Sequence, residues 1–436
     1  MLSSCRQKNR YFWLVAIVLS LPYLVVDVQS KTKPASVEAI RVADFVSYTH
    51  IAIELSQSSG KVEFLTSSVG DYSLLIVKLH GVTPGALAND YPVESDVLLS
   101  KISVKEYSTH LQLTIPCRSQ VDLKGLVHHV WDDMVTIDLP LQTPNHNRIP
   151  STEEIKNFCD PDGNDGRVVI LDAGHGAFDT GAVPRYAKKP MLMEKDVALD
   201  LAKRMERMFK QHPKIKVFMT RYDDYLPVPF GLKGKTRKEY KNESLRYRVQ
   251  LAKERLGDVY LSLHLNAPPS YSRSAHQRAR GYEIYYLGER HAENLMNNPD
   301  VVELTNLGVE DKKPDDQHSG LFLELLKENI PQASLELAGH ITTEMRRIPW
   351  LEMRDPAMKS NRFTVIKQLL MPSVLVEFMF ITNPTEHEQI RSSSNRAKMA
   401  GSIYNAVCKF LFDPSAPIQL AAADVKAIEK PAPQAA

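Results

Sequence analysis

Between Val37 and Pro140 apolar and polar residues alternate in short runs: Ile51-Ala-Ile-Glu-Leu55, Lys61-Val-Glu-Phe64, Leu74-Leu-Ile-Val-Lys-Leu79, His110-Leu-Gln-Leu-Thr-Ile115 and Met134-Val-Thr-Ile-Asp-Leu139. A period of two places successive side chains on opposite faces, so each run reads as a strand, and the Gly, Ser, Asn and Pro residues between them read as turns. Strands at this hairpin spacing predict a small all-β, sandwich-like domain over 31–145. His128 and His129 are neighbours there and would point to opposite faces of a strand, which rules out one shared metal site. Turn formers, ending in Cys159-Asp-Pro-Asp-Gly-Asn-Asp-Gly166, mark 146–166 as a linker.

Beyond the linker the period changes. Val168-Val-Ile-Leu171 is a continuous apolar run, and Val197, Ala198, Leu201, Ala202, Met205, Met208 and Phe209 then follow helical spacing. Val217-Phe-Met219 reads as strand, and Leu245, Val249, Ala252 and Leu256 form a helical stripe stopped by Gly257. Val259-Tyr-Leu-Ser-Leu263 and Tyr282-Glu-Ile-Tyr-Tyr-Leu287 are further strands. A helix around Leu335 to Ile348, a strand Val374-Leu-Val376 and a helix through Ile403, Val407 and Phe410 complete the pattern. Such alternation predicts an α/β domain over 167–412, with a mostly parallel sheet flanked by helices. Ala, Pro and Lys dominate 413–436, which reads as a disordered tail.

The amino terminus sets the compartment. Arg6, Lys8 and Arg10 precede an apolar run from Tyr11 to Val26, and Val28-Gln-Ser30 offers small residues for cleavage, so 1–30 is read as a signal peptide, with an uncleaved anchor as the alternative. The protein is therefore expected to be exported to the periplasm or cell envelope. Cys117, Cys159 and Cys408 lack CxxC spacing and read as buried thiols, a Cys117–Cys159 bridge being the alternative. Lys and Arg total 54 against 52 Asp and Glu, a formal charge of +2, which gives no support to a nucleic-acid partner held by phosphate contacts.

Ligands of α/β sheets bind outside the carboxyl ends of the strands, and the polar residues collected there form a set. The first strand runs into Asp172-Ala-Gly-His-Gly176 and places His175 on a glycine-flanked turn; another ends in Ser262-Leu-His-Leu-Asn266 with His264; a late one ends in Glu377; and Glu194 opens the first helix. Two imidazoles and a carboxylate are the ligand set of a catalytic zinc, which keeps one position open for water. Zinc brings the pKa of that water to about 7, and a second carboxylate can take its proton and pass it to a leaving amine. His175, Glu194 and His264 are thus the candidate metal ligands and Glu377 the candidate catalytic base of an amide hydrolysis.

Taken in order, Asp172-Ala-Gly-His-Gly, Glu194-Lys-Asp, Ser262-Leu-His-Leu-Asn and Pro372-Ser-Val-Leu-Val-Glu-Phe-Met-Phe-Ile-Thr-Asn383 resemble the zinc-dependent N-acetylmuramoyl-L-alanine amidases that act on peptidoglycan, over about 168–412. The resemblance implies zinc at His175, Glu194 and His264 and catalysis by Glu377. It also implies cleavage between N-acetylmuramic acid and the L-alanine of the stem peptide, in wall remodelling and daughter-cell separation. Ala173 stands where proline is usual, Leu263 and Leu265 add bulk around His264, and Phe378-Met379 replaces the commoner Thr-Gly. The β-rich segment resembles the AMIN domain that directs such enzymes to the envelope. Residues 288–332, with Glu289, Glu293, Asp300, Glu303, Glu310, Asp311, Asp315 and Asp316, occupy the place of a lid that an activator protein displaces in related amidases. The basic stretch of Lys233, Lys235, Arg237, Lys238 and Lys241 reads as a solvated loop, or as a rim attracting peptide carboxylates. A zinc peptidase of stem peptides and a non-catalytic wall-binding scaffold are the rival readings.

Overall fold

The computed structural model describes residues 34–142, 166–184, 192–288, 316–413 and 415, save for positions 46, 70, 71, 94, 96, 100, 234, 235, 270, 271 and 368; side chains at 68, 69 and 316–328 are also outside the description. The leader, the linker with Cys159, the acidic stretch from Glu289 to Asp315 and the tail beyond Ser415 lie outside the described residues. The expectations of export signal, lid and disordered tail fall largely on those segments.

The alternating region forms β1 (Ala35–Asp44), β2 (Tyr48–Leu55), β3 (Val62–Val69), β4 (Tyr72–His80), β5 (Val82–Thr83), β6 (Asp90–Pro92), β7 (Lys101–Glu106), β8 (His110–Arg118), β9 (Val127–Val130) and β10 (Met134–Pro140). They make two sheets, ordered β5-β1-β2-β10-β9 and β3-β4-β8-β7-β6. Ile51, Ile53, Val135 and Ile137 of one sheet and Leu75, Val77, Leu111 and Leu113 of the other share one core, so the sheets pack as a sandwich. His128 stacks on Phe64 and His129 lies near Trp131 on the other face. Cys117 is a free buried thiol, pushed up to about 12 by burial, and Cys408 is also free.

Central strands β2 and β10 are buried on both faces. Their core-facing residues alternate with Ala52, Glu54, Thr136 and Asp138, which face the second half of the chain. Ala52, Trp131 and Met134 pack with Ala177, Leu226, Val228, Leu232 and Tyr240. Ala43, Phe45 and Tyr48 pack with Tyr225. His50 hydrogen-bonds Asp138 through one ring nitrogen and the Tyr240 hydroxyl, 2.7 Å away, through the other. Ala35–Ala436 is accordingly one compact unit.

The second half contains β11 (Arg167–Ala173), β12 (Ile215–Met219), β13 (Val259–Asn266), β14 (Tyr282–Tyr286), β15 (Met353–Ser360) and β16 (Ser373–Phe380). Its helices are α1 (Glu194–Phe209), α2 (Arg237–Glu254), α3 (Arg273–Arg278), α4 (Asp316–Met345), α5 (Pro384–Arg391) and α6 (Ser393–Phe412). The sheet order is β12-β11-β13-β16-β14-β15. The sheet is mixed: β12, β11, β13 and β16 run one way, and β14 is antiparallel to β16 and parallel to β15, so four of the five pairings are parallel. A parallel return is usually made through a sheet-length helix, and among the described residues of 267–281 the one helix is the 6-residue α3; the chain re-enters at the end of the sheet it left. β15 escaped the alternation pattern because it is a sheet-edge strand containing Pro356, a position where proline is tolerated.

α1, α4 and α6 cover one face through Val197, Leu201, Leu337, Ile341, Ile403 and Val407. α2 covers the other through Val249 and Ala252, against Ile170, Tyr260 and Leu375. Among the described residues, no helix is long and apolar enough to cross a membrane.

The docked sandwich makes a stability prediction. Ala52 is only 5% exposed where the sandwich meets the loops and α2 of the second half, so Ala52→Asp buries an unpaired charge and should cost about 3–5 kcal/mol in guanidinium unfolding. Leu65→Asp, at a position 44% exposed, should change it by less than about 0.5 kcal/mol. Equal effects would show that the sandwich is not docked through β2.

Candidate metal centre

Three neighbouring parallel strands, β11, β13 and β16, end at one edge and bring the chemistry together. β11 leaves the sheet at Ala173 and turns sharply, with φ 61° at His175 and 49° at Ala177. Non-glycine residues avoid this left-handed region, so the turn has to be held from outside. Two buried arginines do so. Arg221 donates to the carbonyls of Ala173 (2.9 Å) and Gly174 (2.8 Å), and Arg248 to those of Ala173 and His175 (both 2.7 Å). Asp172 supplies the counter-charge to Arg248 and accepts from Thr220 and Ser262. Burial alone would raise its pKa, but Arg248 and these hydroxyls hold it below the usual carboxylate range.

Glu194 is the first residue of α1, where the helix N-terminus favours negative charge. Its Oε1 lies 3.0 Å from His175 Nε2 and 2.9 Å from His264 Nδ1, and the ligand atoms of all three residues fall within 4.8 Å of one another. Backbone N–H groups complete its shell: Leu265 donates to Oε1 at 3.1 Å and Ala182 to Oε2 at 2.7 Å. Gly181 has φ 64°, and a Cβ there would sit 2.4 Å from Glu194 Oε2, so the carboxylate occupies a cradle only glycine leaves open.

His175 Nδ1 donates to Asp179 at 2.9 Å, and Asp179 also takes the ammonium of Lys241 at 2.9 Å. An occupied Nδ1 turns Nε2 toward Glu194 and His264, which is how a carboxylate orients a metal-binding imidazole. Burial lowers the His175 pKa, but the charge of Glu194 and the bond to Asp179 outweigh it and bring it to about 9. Glu194, despite its burial, is held below the usual range by the two histidines.

Glu377 pairs in register with His264 on one side and with Glu283 on the other. Its Oε2 is buried without a hydrogen-bond partner, and burial followed by the charge of Glu194 pushes the carboxyl well above its usual range. Glu283 has the opposite surroundings: Lys359 (2.6 Å), Arg354 (2.8 Å), Tyr285 (2.7 Å) and Asn266 (2.8 Å) converge on it, outweigh its burial and keep it ionised. A cleft of about 160 Å³, walled by Leu226, Leu245, Phe363 and Val365, opens beside the two histidines.

All four sequence-designated residues therefore meet at one strand edge. Asp179, Arg221, Arg248 and Glu283 were missed; each is a single charge, in the turn after β11, just after β12, on α2 and inside β14 respectively, a signal that solvated residues share. In the basic stretch, two cations are held in ion pairs. Arg237 pairs with Asp133 and stacks on Phe178, and Lys241 holds Asp179, so both are structural cations rather than a free rim.

Two imidazoles and a carboxylate converging beside a carboxyl group with one buried, partnerless oxygen, at the carboxyl ends of an α/β sheet, define a hydrolase centre that could hold a metal. The chain belongs to the N-acetylmuramoyl-L-alanine amidase family, which matches residues 169–409, and it is an amidase of peptidoglycan remodelling. It is 29% identical over 250 residues to N-acetylmuramoyl-L-alanine amidase AmiA of Escherichia coli (strain K12), covering 56% of this chain and 76% of that protein. It is 28% identical over 255 residues to the germination-specific N-acetylmuramoyl-L-alanine amidase of Bacillus subtilis (strain 168), covering 58% and 83%. The N-acetylmuramoyl-L-alanine amidase structure from Clostridium difficile 630 aligns over 57% of this chain and 99% of that one, at 23% identity and a TM-score of 0.39.

The centre predicts proton-linked metal uptake. A pKa raised from 6.5 to about 9 leaves His175 protonated at neutral pH in the metal-free protein, and a cation must displace that proton. Apparent Zn²⁺ affinity should rise roughly tenfold per pH unit up to about pH 9 and then level off. Titrations in buffers of different ionisation enthalpy check this; affinity flat between about pH 6 and 8 would remove His175 from the ligand set.

Proposed function

We propose that His175, Glu194 and His264 hold one zinc ion and that Glu377 carries the proton during hydrolysis of the amide between N-acetylmuramic acid and the L-alanine of the stem peptide. The observation that carries this reading is the convergence of three donor groups beside the buried, partnerless oxygen of Glu377. Two nitrogens and one carboxylate oxygen suit zinc, and Asp179 behind His175 supplies the orienting bond such sites use. When bound, zinc supplies a Lewis acid that acidifies water and polarises an amide carbonyl.

The remaining work falls to the protein. With the site occupied, the Glu377 carboxylate would accept a proton from the attacking water. As the C–N bond breaks, Glu377 gives the proton to the departing alanine nitrogen, which leaves as a neutral amine. Asp179 keeps Nε2 of His175 directed at the centre, and Arg221 and Arg248 keep the turn in place. Glu283, ionised by its own cations, keeps a second negative charge beside Glu377 and favours return of the proton to it.

The β sandwich is read as an AMIN-like module and the leader as an export signal, placing the enzyme in the periplasm or envelope during wall remodelling and daughter-cell separation. A lid within 288–332, displaced by an activator protein, belongs to the same reading.

Glu377→Gln should keep zinc and fold while losing roughly 10²–10⁴ of the rate on purified sacculi. His175→Ala should lose the metal. Mass spectrometry of the products should find stem peptides free of sugar; cleavage within the peptide, or full activity in Glu377→Gln, would overturn the mechanism.

A further inference from the structure

The turn that carries His175 is not held by the α/β sheet alone. Its outer side rests on residues 221–228, and these residues are gripped by the sandwich. Asp224 is the joint. Its Oδ1 accepts from the N–H of Ala177 (2.8 Å), and its Oδ2 accepts from Lys195 Nζ and from a terminal nitrogen of Arg41 (both 2.6 Å). The same Arg41 nitrogen reaches the Asp224 carbonyl at 3.1 Å, and Glu54 fixes the Arg41 Nε at 2.9 Å. One carboxylate thus links the residue two after His175, the residue one after Glu194 and a strand of the N-terminal sandwich. Lys195 closes the ring by donating to the Ala177 carbonyl at 2.9 Å.

Backbone packing reinforces the joint. A Cβ on Gly176 would lie 2.2 Å from the carbonyl oxygen of Tyr225, so turn and loop touch main chain to main chain. The Tyr225 ring meets Phe45 edge-on at 6.0 Å, and the Tyr48 hydroxyl donates to the Val228 carbonyl. Ala177, whose N–H Asp224 holds, is itself in the left-handed conformation. A non-glycine residue stays there only where its surroundings over-determine it.

We propose that Arg41 is a positioning residue of the amidase: through Asp224 it holds the His175 turn and the start of α1 in the arrangement that binds the metal, which makes the N-terminal sandwich part of the catalytic unit. This rests on the assignment of His175 and Glu194 as ligands. The charges support a positioning role, since Arg41 and Lys195 balance Glu54 and Asp224. Loss of Arg41 leaves Lys195 as the one cation bonded to the Asp224 carboxylate among the described residues, so the carboxylate can follow it toward α1 and release Ala177.

The full-length chain tests this, with Zn²⁺ affinity read by chelator competition and kcat and KM read on sacculi. Arg41→Ala should weaken Zn²⁺ affinity about tenfold, at the low end of what supports behind metal ligands contribute, and lower kcat with KM within about twofold. Arg41→Lys, which keeps the charge, should recover most of the affinity; Arg41→Gln should not. In an Asp224→Asn background, Arg41→Ala should add less than about twofold. The proposal is overturned if Arg41→Ala binds zinc as the parent does, or if its effect is as large without the Asp224 carboxylate. Should Arg41→Ala fail to fold, parental affinity in Arg41→Gln overturns it equally. His175→Ala separates the two levels. If it keeps zinc, the ligand assignment has failed; if it loses zinc while all Arg41 variants match the parent, only the positioning role has.

Discussion

One carboxylate oxygen, Oε1 of Glu194, is shared between two imidazole nitrogens at about 3 Å, and the structure around it is arranged to keep that convergence. The three residues come from a strand-end turn, a helix start and a second strand, so no local motif holds them. A buried carboxylate without partners would take up a proton instead. Here it has two histidines, two backbone N–H groups and a helix N-terminus, and it stays ionised. The same arrangement sets what enters: a cation can replace the proton on His175, with the Glu194 carboxylate remaining as counter-charge.

From that constraint follows the division of roles among the neighbouring carboxylates. Glu377 and Glu283 face each other in the sheet, yet their environments push them apart. Glu283 gathers a lysine, an arginine, a tyrosine and an asparagine, while Glu377 has burial and the negative charge of Glu194. Paired carboxylates with opposed pKa shifts are how a site separates a proton carrier from a fixed negative charge. The backbone beneath them is fixed by Arg221 and Arg248, whose guanidinium groups take three successive carbonyls of the turn.

The candidate site was legible in the sequence because chemistry-bearing residues at the ends of apolar strands are few, and strand ends are where an α/β sheet opens. His175, His264 and Glu377 each follow an apolar run, and Glu194 starts a helix. The sandwich was legible from alternation. The orientation of β14 and β15 was not, since periodicity carries no direction and only the short connection after β13 decides it. Strand β15, charged and broken by Pro356, carries no periodic signal. Arg41, Asp224 and Asp179 look like ordinary surface charges in sequence and gain their meaning only when β1, the 221–228 segment and the turn are brought together. The even positions of β2 gave a partial hint, because Ala52 is apolar on a face that alternation alone would assign to water.

The enzyme is thus built from two β-containing layers that meet at the metal-ligand turn. The ligand set is tested by a crystal structure of the zinc-loaded protein with anomalous diffraction recorded on either side of the zinc edge. One zinc is expected, bound by His175 Nε2, Glu194 and His264 Nδ1 at about 2.0–2.2 Å, with Glu377 outside the coordination shell. Zinc at any other set of residues, or with Glu377 as a ligand in place of one of these three, would contradict it.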